Sequence, residues 1–261
     1  MNAHNMFEIG AASALVVAIV QITTFLVARR LGRYNIVDVV WGLGFGVVAV
    51  VAAVVGDGSG TRRWLLAALV GSWGLRLSLH LRRRVRGQGE DPRYAALLER
   101  HGRTPAVVFT RIFLAQGVLQ WVISLPIQVS AAAGPARGFG RVAVAAGVLV
   151  WAIGFVFEAV GDRQLARFKA DPGNRGRIMD RGLWAWTRHP NYFGDCCVWW
   201  GIWLIAAGAW PGPLTVFAPM IMSYLLIRGS GARLLEQAMS DRPGYREYQA
   251  RTSAFFPRPA R

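Results

Sequence analysis

Lysine is almost missing from this sequence: Lys169 stands alone against 29 arginines, a bias expected of a GC-rich bacterial genome. Charge of either sign is scarce, since Asp, Glu, Lys and Arg make up 17% of 261 residues. A chain so poor in charge, and 54% hydrophobic, does not read as the one or two soluble domains its length alone would suggest. Cysteine is limited to the neighbours Cys196 and Cys197. Adjacent residues on a helix point in different directions, so these read as packing residues and say nothing about redox compartment. The histidines, His4, His80, His101 and His189, lack metal-ligand spacing, and no metal site is expected. No basic residue precedes the first apolar run. The charged segment of a cleavable signal peptide is therefore missing, and the first helix is expected to remain. No internal repeat or long linker is evident.

What the chain has instead is apolar runs, of about the 18–22 residues that cross a bilayer core. They lie at 6–28, 36–55, 64–81, 112–133, 140–160, 194–210 and 213–228. The mean hydropathy is +0.32. The expected fold is all-α: one integral membrane domain over 1–261, with seven transmembrane helices, cytoplasmic loops and an amphipathic C-terminal tail. The net charge of +16 would suggest nucleic acid in a soluble protein, but its distribution points to topology. Segments 29–35, 82–103, 161–193 and 228–261 carry 24 basic residues, against 4 in the segments on the other side. The positive-inside rule then puts the N-terminus outside and the C-terminus in the cytoplasm, as expected in a bacterial plasma membrane. The basic surplus serves topology and contact with anionic lipids, and no nucleic-acid partner is expected.

Ionisable residues inside the apolar runs are costly, about 2.5–3.5 kcal/mol at mid-membrane, and usually have a role or a partner. Asp38 begins the second run. Arg76 and His80 lie one turn apart on the third, Glu158 is in the fifth and Asp195 starts the sixth. All fall in the cytoplasmic half of the predicted topology, which suggests one polar cavity. Any one of them alone is as readily explained by snorkelling, and Asp38 is close enough to pair with Arg33. Beyond the fifth run, Glu158, Asp162 and Lys169 share a helix face. Arg175, Arg177, Arg181 and Arg188 follow. Guanidinium forks suit phosphate, though anionic-lipid binding is a rival reading. Asp91-Pro92 reads as a helix start and Asp171-Pro172-Gly173-Asn174 as a turn. Two G-x-G-x-x-A strings, at 44–49 and 138–143, lie in or beside membrane helices. They carry no dinucleotide meaning outside a βαβ unit.

Glu158-x3-Asp162, the loop "RGLWAWTRHPNYFGD" and the tail "LLEQAMSDRPGYREYQARTSAFFP" together resemble the steroid 5α-reductase superfamily, most closely its bacterial branch of membrane proteins. The likeness covers about 30–257. It implies an NADPH-dependent reductase of a carbon–carbon double bond conjugated to a carbonyl, acting on a lipid-like substrate. The substrate-side helices would lie in about 1–135 and the cofactor-binding half in about 136–261. By motif, Asp162, Lys169, Arg177 and Asn191 match cofactor-binding positions, and Glu158 falls where the steroid enzymes carry asparagine. Arg188, His189, Tyr192, Asp195 and Glu236 belong to the shared signature and are expected to line the same site. The steroid enzymes also pair an acid on the second helix with a tyrosine on the third. Asp38 is the candidate acid, but Trp73 stands near the tyrosine's place, so Arg76 or His80 is the expected substitute donor.

Two other functions fit parts of the sequence. Isoprenylcysteine carboxyl methyltransferases share an Arg-His-Pro-x-Tyr loop and a glutamate-bearing tail, but use S-adenosylmethionine. The Glu158/Asp162/Lys169 stripe and the arginines suit a phosphate-rich dinucleotide better. A channel or transporter would need inverted-repeat symmetry or a polar series crossing the whole membrane, and the sequence has neither.

Overall fold

The computed structural model describes residues 2–229 and 231–259. Among them the regular structure is helical, apart from one isolated bridge between Thr187 and Ser253. Six helical stretches among the described residues are long and apolar enough to cross a membrane: Ala3–Leu31, Ile36–Val55, Gly60–Val85, Pro105–Ile123, Phe139–Ala170 and Gly212–Met239. This is the composition of an integral membrane protein. The run expected at 194–210 instead forms the C-terminal part of a helix from Pro190, whose first turns carry Asn191, Tyr192 and Asp195. The run expected at 112–133 is divided. A helix ends at Ile123, and a separate helix runs Leu125–Ala132, buried from Pro126 onward, with Pro126 in its first turn, where proline is tolerated.

The chain forms two compact units. The first comprises Met1–Val144 and Ile205–Thr215. It contains α1 (Ala3–Leu31), α2 (Ile36–Val55), α3 (Gly60–Val85), α4 (Pro92–His101), α5 (Pro105–Val108), α6 (Ala115–Ile123) and α7 (Leu125–Ala132). A turn of π-helix, Phe109–Leu114, joins α5 to α6. Helices α2 and α3 meet at glycine: a Cβ on Gly42 would lie 2.6 Å from the Gly74 carbonyl oxygen. Such contacts let backbones approach where lipid offers no hydrophobic drive to pack. Arg62, 3% exposed, secures the end of α7. Its guanidinium donates to Ser130 Oγ and to the carbonyls of Ala133 and Gly134 at 2.8–2.9 Å.

The second unit comprises Ala145–Leu204 and Val216–Arg261. It holds most of α8 (Phe139–Ala170), then α9 (Leu183–Trp186), most of α10 (Pro190–Ala207), α11 (Phe217–Tyr224), α12 (Ala232–Met239) and α13 (Tyr245–Arg251). Helices α8 and α10 pack through glycines spaced by seven in both: Gly147, Gly154 and Gly161 on one, Gly194 and Gly201 on the other. A Cβ on Gly154 would lie 2.5 Å from the Gly194 carbonyl, one on Gly201 2.6 Å from the Trp151 nitrogen, and one on Gly161 3.2 Å from Pro190. A seven-residue period keeps one face toward the partner helix along the crossing. Gly154→Leu should therefore be strongly destabilising. Overpacking costs about 1–3 kcal/mol where side chains can yield, and here the obstacle is backbone. Thermal melting of the detergent-solubilised variant measures this, and a melting point within a degree of wild type would show that the two helices separate freely.

Candidate functional site

In the first unit a polar cluster surrounds Asp38, in the first turn of α2. The loop 86–91 is pinned beside it because Glu90 accepts backbone N–H groups of Tyr34 (2.5 Å) and Asn35 (3.0 Å). Asp91 then caps α4, accepting the Arg93 N–H at 2.8 Å, which places Arg93 and Tyr94 in the first turn, over α2. The Tyr94 hydroxyl donates to Asp38 Oδ1 at 2.5 Å. Arg93 Nη2 donates to Asp38 Oδ2 at 2.9 Å and is clamped from behind by Asp91, also at 2.9 Å. Gln116 Nε2 donates to the Tyr94 oxygen at 2.8 Å. The ring of Tyr94 is 9% exposed and belongs to a core cluster with Ala28, Val37, Leu98, Ile112 and Phe113. Burial, reinforced by the Asp38 charge, holds its phenol well above the ordinary value, so it remains a proton-bearing donor at neutral pH. Burial would raise the Asp91 carboxyl, but the side-chain and backbone hydrogen bonds from Arg93 hold it below the usual range.

The hydroxyl facing the acid thus comes from α4, not from the third apolar helix. Trp73 is fully buried, with its ring 6.0 Å from that of Phe45. Arg76 and His80 lie half-buried on α3, and the Asp38 carboxylate accepts from Tyr94 and Arg93. Tyr94, Arg93 and Gln116 escaped the sequence reading. A signal was present: the Asp91-Pro92 helix start fixes which residues occupy the first turn, and Arg93-Tyr94 follow it directly.

In the second unit the glycine contacts bring the start of α10 against α8, beside Glu158 and Asp162, which are 3% and 6% exposed. Asn191 Nδ2 donates to Asp162 Oδ1 at 3.1 Å. Tyr192 and His189 stack, centroids 5.7 Å apart. Asp195 lies half-buried in the second turn of α10, while Lys169, in the last turn of α8, and Arg177 are exposed.

Arg188, His189 and Glu236 converge in a different way. Glu236 accepts from Arg188 Nε (2.8 Å) and Nη2 (3.0 Å), from His189 Nε2 (2.9 Å) and from Gln249 (2.7 Å). The remaining Arg188 nitrogen, Nη1, donates to the carbonyls of Thr252 (2.7 Å) and Gln249 (3.2 Å). With its fork so occupied, Arg188 is a tie between loop and tail, not an open phosphate clamp. The backbone reinforces the tie. Arg188 N donates to Ser253 O and Arg258 N to Trp186 O, Tyr248 Oη donates to Trp184 O at 2.6 Å, and Arg251 pairs with Asp180. Burial lowers the His189 imidazole from its ordinary value, against the opposing Glu236 hydrogen bond. Its Nδ1 is buried with no hydrogen-bond partner among the described residues, which leaves one acceptor for a donor on a ligand.

A family described as "Protein of unknown function (DUF1295)" matches residues 24–252. The chain belongs to this family. The DUF1295 match takes in Asp38, Tyr94 and Gln116, the Asp162–Asn191 pair and the Arg188–Glu236 tie. An uncharacterised protein of Schizosaccharomyces pombe is 34% identical over 96 residues, covering 35% of this chain and 27% of the relative's own length. No solved structure matches this DUF1295 chain.

Proposed function

We propose that this chain is a membrane reductase, related to the steroid 5α-reductase superfamily, that reduces a carbon–carbon double bond conjugated to a carbonyl in a lipid-like substrate. The observation that carries the reading is the Asp38–Tyr94 pair. An acid and a buried phenol hydrogen-bonded at 2.5 Å provide what an enone reduction asks of a protein: a donor that polarises the carbonyl and protonates the enolate. NADPH, when bound, would supply the hydride. The groups that would hold it are in the second unit. Asp162 with Asn191, Glu158 and the free acceptor His189 Nδ1 suit hydroxyl and amide donors, and Lys169 and Arg177 suit phosphate. Tyr192, stacked on His189, and Asp195 flank them. Arg188 and Glu236 would support the site through the loop they tie. The cytoplasm is the source of NADPH, in keeping with a cytoplasmic C-terminus and an outside N-terminus.

The rival reading, an S-adenosylmethionine-dependent methyltransferase, shares the Arg188-His189-Pro190 loop and the tail glutamate. It has no task for a buried acid–phenol pair, since methyl transfer to a carboxylate or thiolate needs no proton donor.

Nucleotide-dependent melting of the purified protein distinguishes the two. NADPH at about 100 times its dissociation constant should add about 2.7 kcal/mol of apparent stability. S-adenosylmethionine should add none, and Asp162→Ala and Asn191→Ala should each remove most of the NADPH effect. Stabilisation by S-adenosylmethionine alone would overturn the reductase reading in favour of the methyltransferase.

A further inference from the structure

Four side chains from three elements form one chain of hydrogen bonds, and their donor and acceptor capacities leave little freedom. Arg93 is always a donor, and it occupies Asp38 Oδ2 at 2.9 Å while Asp91 holds it from the other side. Its guanidinium also lies 5.6 Å from the centroid of the Tyr94 ring. Gln116 presents its amide N–H to the Tyr94 oxygen at 2.8 Å. That orientation suits a phenol which donates its own hydrogen to Asp38 and accepts from Gln116. Gln116 lies two residues beyond the π-helical turn Phe109–Leu114, a widened turn that recurs at functional sites.

We propose that Arg93 and Gln116 are positioning residues that fix the direction of the proton between Asp38 and Tyr94. The resting pair is carboxylate and phenol, and Tyr94 is the group that gives up the proton. Proton donation to a substrate rests on the reductase reading; the carboxylate–phenol resting pair does not. When the enolate left by hydride addition is protonated, the Tyr94 O–H bond breaks and its electron pair stays on the phenolic oxygen. The proton goes to the enolate, and the phenolate later takes a proton from water. Gln116, donating to that oxygen, supports the charge it gains. Arg93 occupies Asp38 Oδ2 as a donor, so Asp38 accepts from Tyr94 and does not compete as an acid. Asp91 and Arg93 are the charged groups that bear on Asp38 from the α4 side, and Gln116 on α6 is neutral.

The test reads the two groups separately and needs neither nicotinamide nor substrate. Infrared difference spectra against Asp38→Asn should show no carboxylic-acid C=O stretch from Asp38 at neutral pH. That band should appear in Arg93→Met and be absent again in Arg93→Lys. A fluorinated tyrosine at position 94, titrated by fluorine NMR, should shift its midpoint upward by about one to two pH units in Gln116→Leu. Gln116→Met keeps the side-chain length and removes the donor without adding charge. It should shift the midpoint the same way, so the result stands even if the leucine variant misfolds. An Asp38 acid band in the unsubstituted protein, its absence in Arg93→Met, or a midpoint unmoved in Gln116→Met would overturn the proposal. Failure to bind NADPH would remove the reductase reading and leave these spectra unchanged.

Discussion

Tyr94→Phe is expected to slow single-turnover NADPH oxidation about 10²–10⁴-fold, in membranes carrying the native lipid pool, the usual loss when a general acid is removed. The substitution takes away one oxygen and keeps the ring among Ala28, Val37, Leu98, Ile112 and Phe113, so packing is preserved. NADPH binding should be unchanged, because Tyr94 is not among the groups proposed to hold it. Two controls give the result its meaning. Asp38→Ala should be slow as well, since the phenol then loses its acceptor at 2.5 Å and with it a fixed orientation. Trp73→Phe, at a fully buried position, should affect melting and leave the rate per folded molecule near wild type. If Tyr94→Phe binds NADPH and oxidises it at the wild-type rate while Asp38→Ala does not, the phenol is a scaffold for the acid. His80 on α3 then becomes the next donor to test.

The long spans were legible in the sequence because length and composition encode them: a bilayer core demands about 20 apolar residues whatever they pack against. The count was less legible. The start of α10 mixes Pro190, Asn191, Tyr192 and Asp195 with aromatic residues, and composition cannot say whether such a segment crosses or ends at the surface. Nor does it say where a run breaks, and one helix ends at Ile123 just before another begins at Leu125. Candidate residues were legible where a single helix carries them. Glu158 and Asp162 are four apart, and helical spacing alone puts them on one face. Residues paired across distant segments were not. Asp38 and Tyr94 are 56 positions apart, and periodicity holds no information about that pairing. Likewise Arg188 read as a phosphate fork because its type suits phosphate, whereas its Glu236 partner, 48 residues on, occupies that fork. The seven-residue glycine spacing of α8 and α10 is present in the sequence but is not a signal on its own. Each helix shows only a few glycines among many apolar residues, and the match matters only once the two are laid side by side.

Glu236→Ala should be among the most destabilising single changes in the second unit, costing about 3 kcal/mol. That is the lower end for breaking a buried ion pair by removing one partner. The discount reflects a Glu236 side chain that keeps 22% of its surface exposed, against 11% for Arg188. The loss arises mainly from what is left behind, a nearly buried guanidinium and a buried imidazole facing no anion. Replacing both partners by apolar groups, as in Arg188→Met with Glu236→Leu, should cost less than Glu236→Ala alone, and a double-mutant cycle on chemical unfolding measures the difference. An acid signature accompanies it. Burial holds the His189 pKa below its unfolded value of about 6.5, so the unfolded chain binds the proton more readily. Stability is then full above about pH 6.5 and falls as pH drops from there through the folded-state pKa. The Glu236 hydrogen bond and charge oppose that lowering, while Arg188 adds to it. Removing Glu236 should push His189 further down and extend the acid loss to lower pH. His189→Gln retains a donor toward Glu236 and should flatten the dependence between pH 5 and 7. A wild type that gains stability relative to His189→Gln as pH falls from 7 to 5 would show that the imidazole is charged in the folded protein, and that the tie is a three-charge cluster instead of an arginine–glutamate pair braced by a neutral ring.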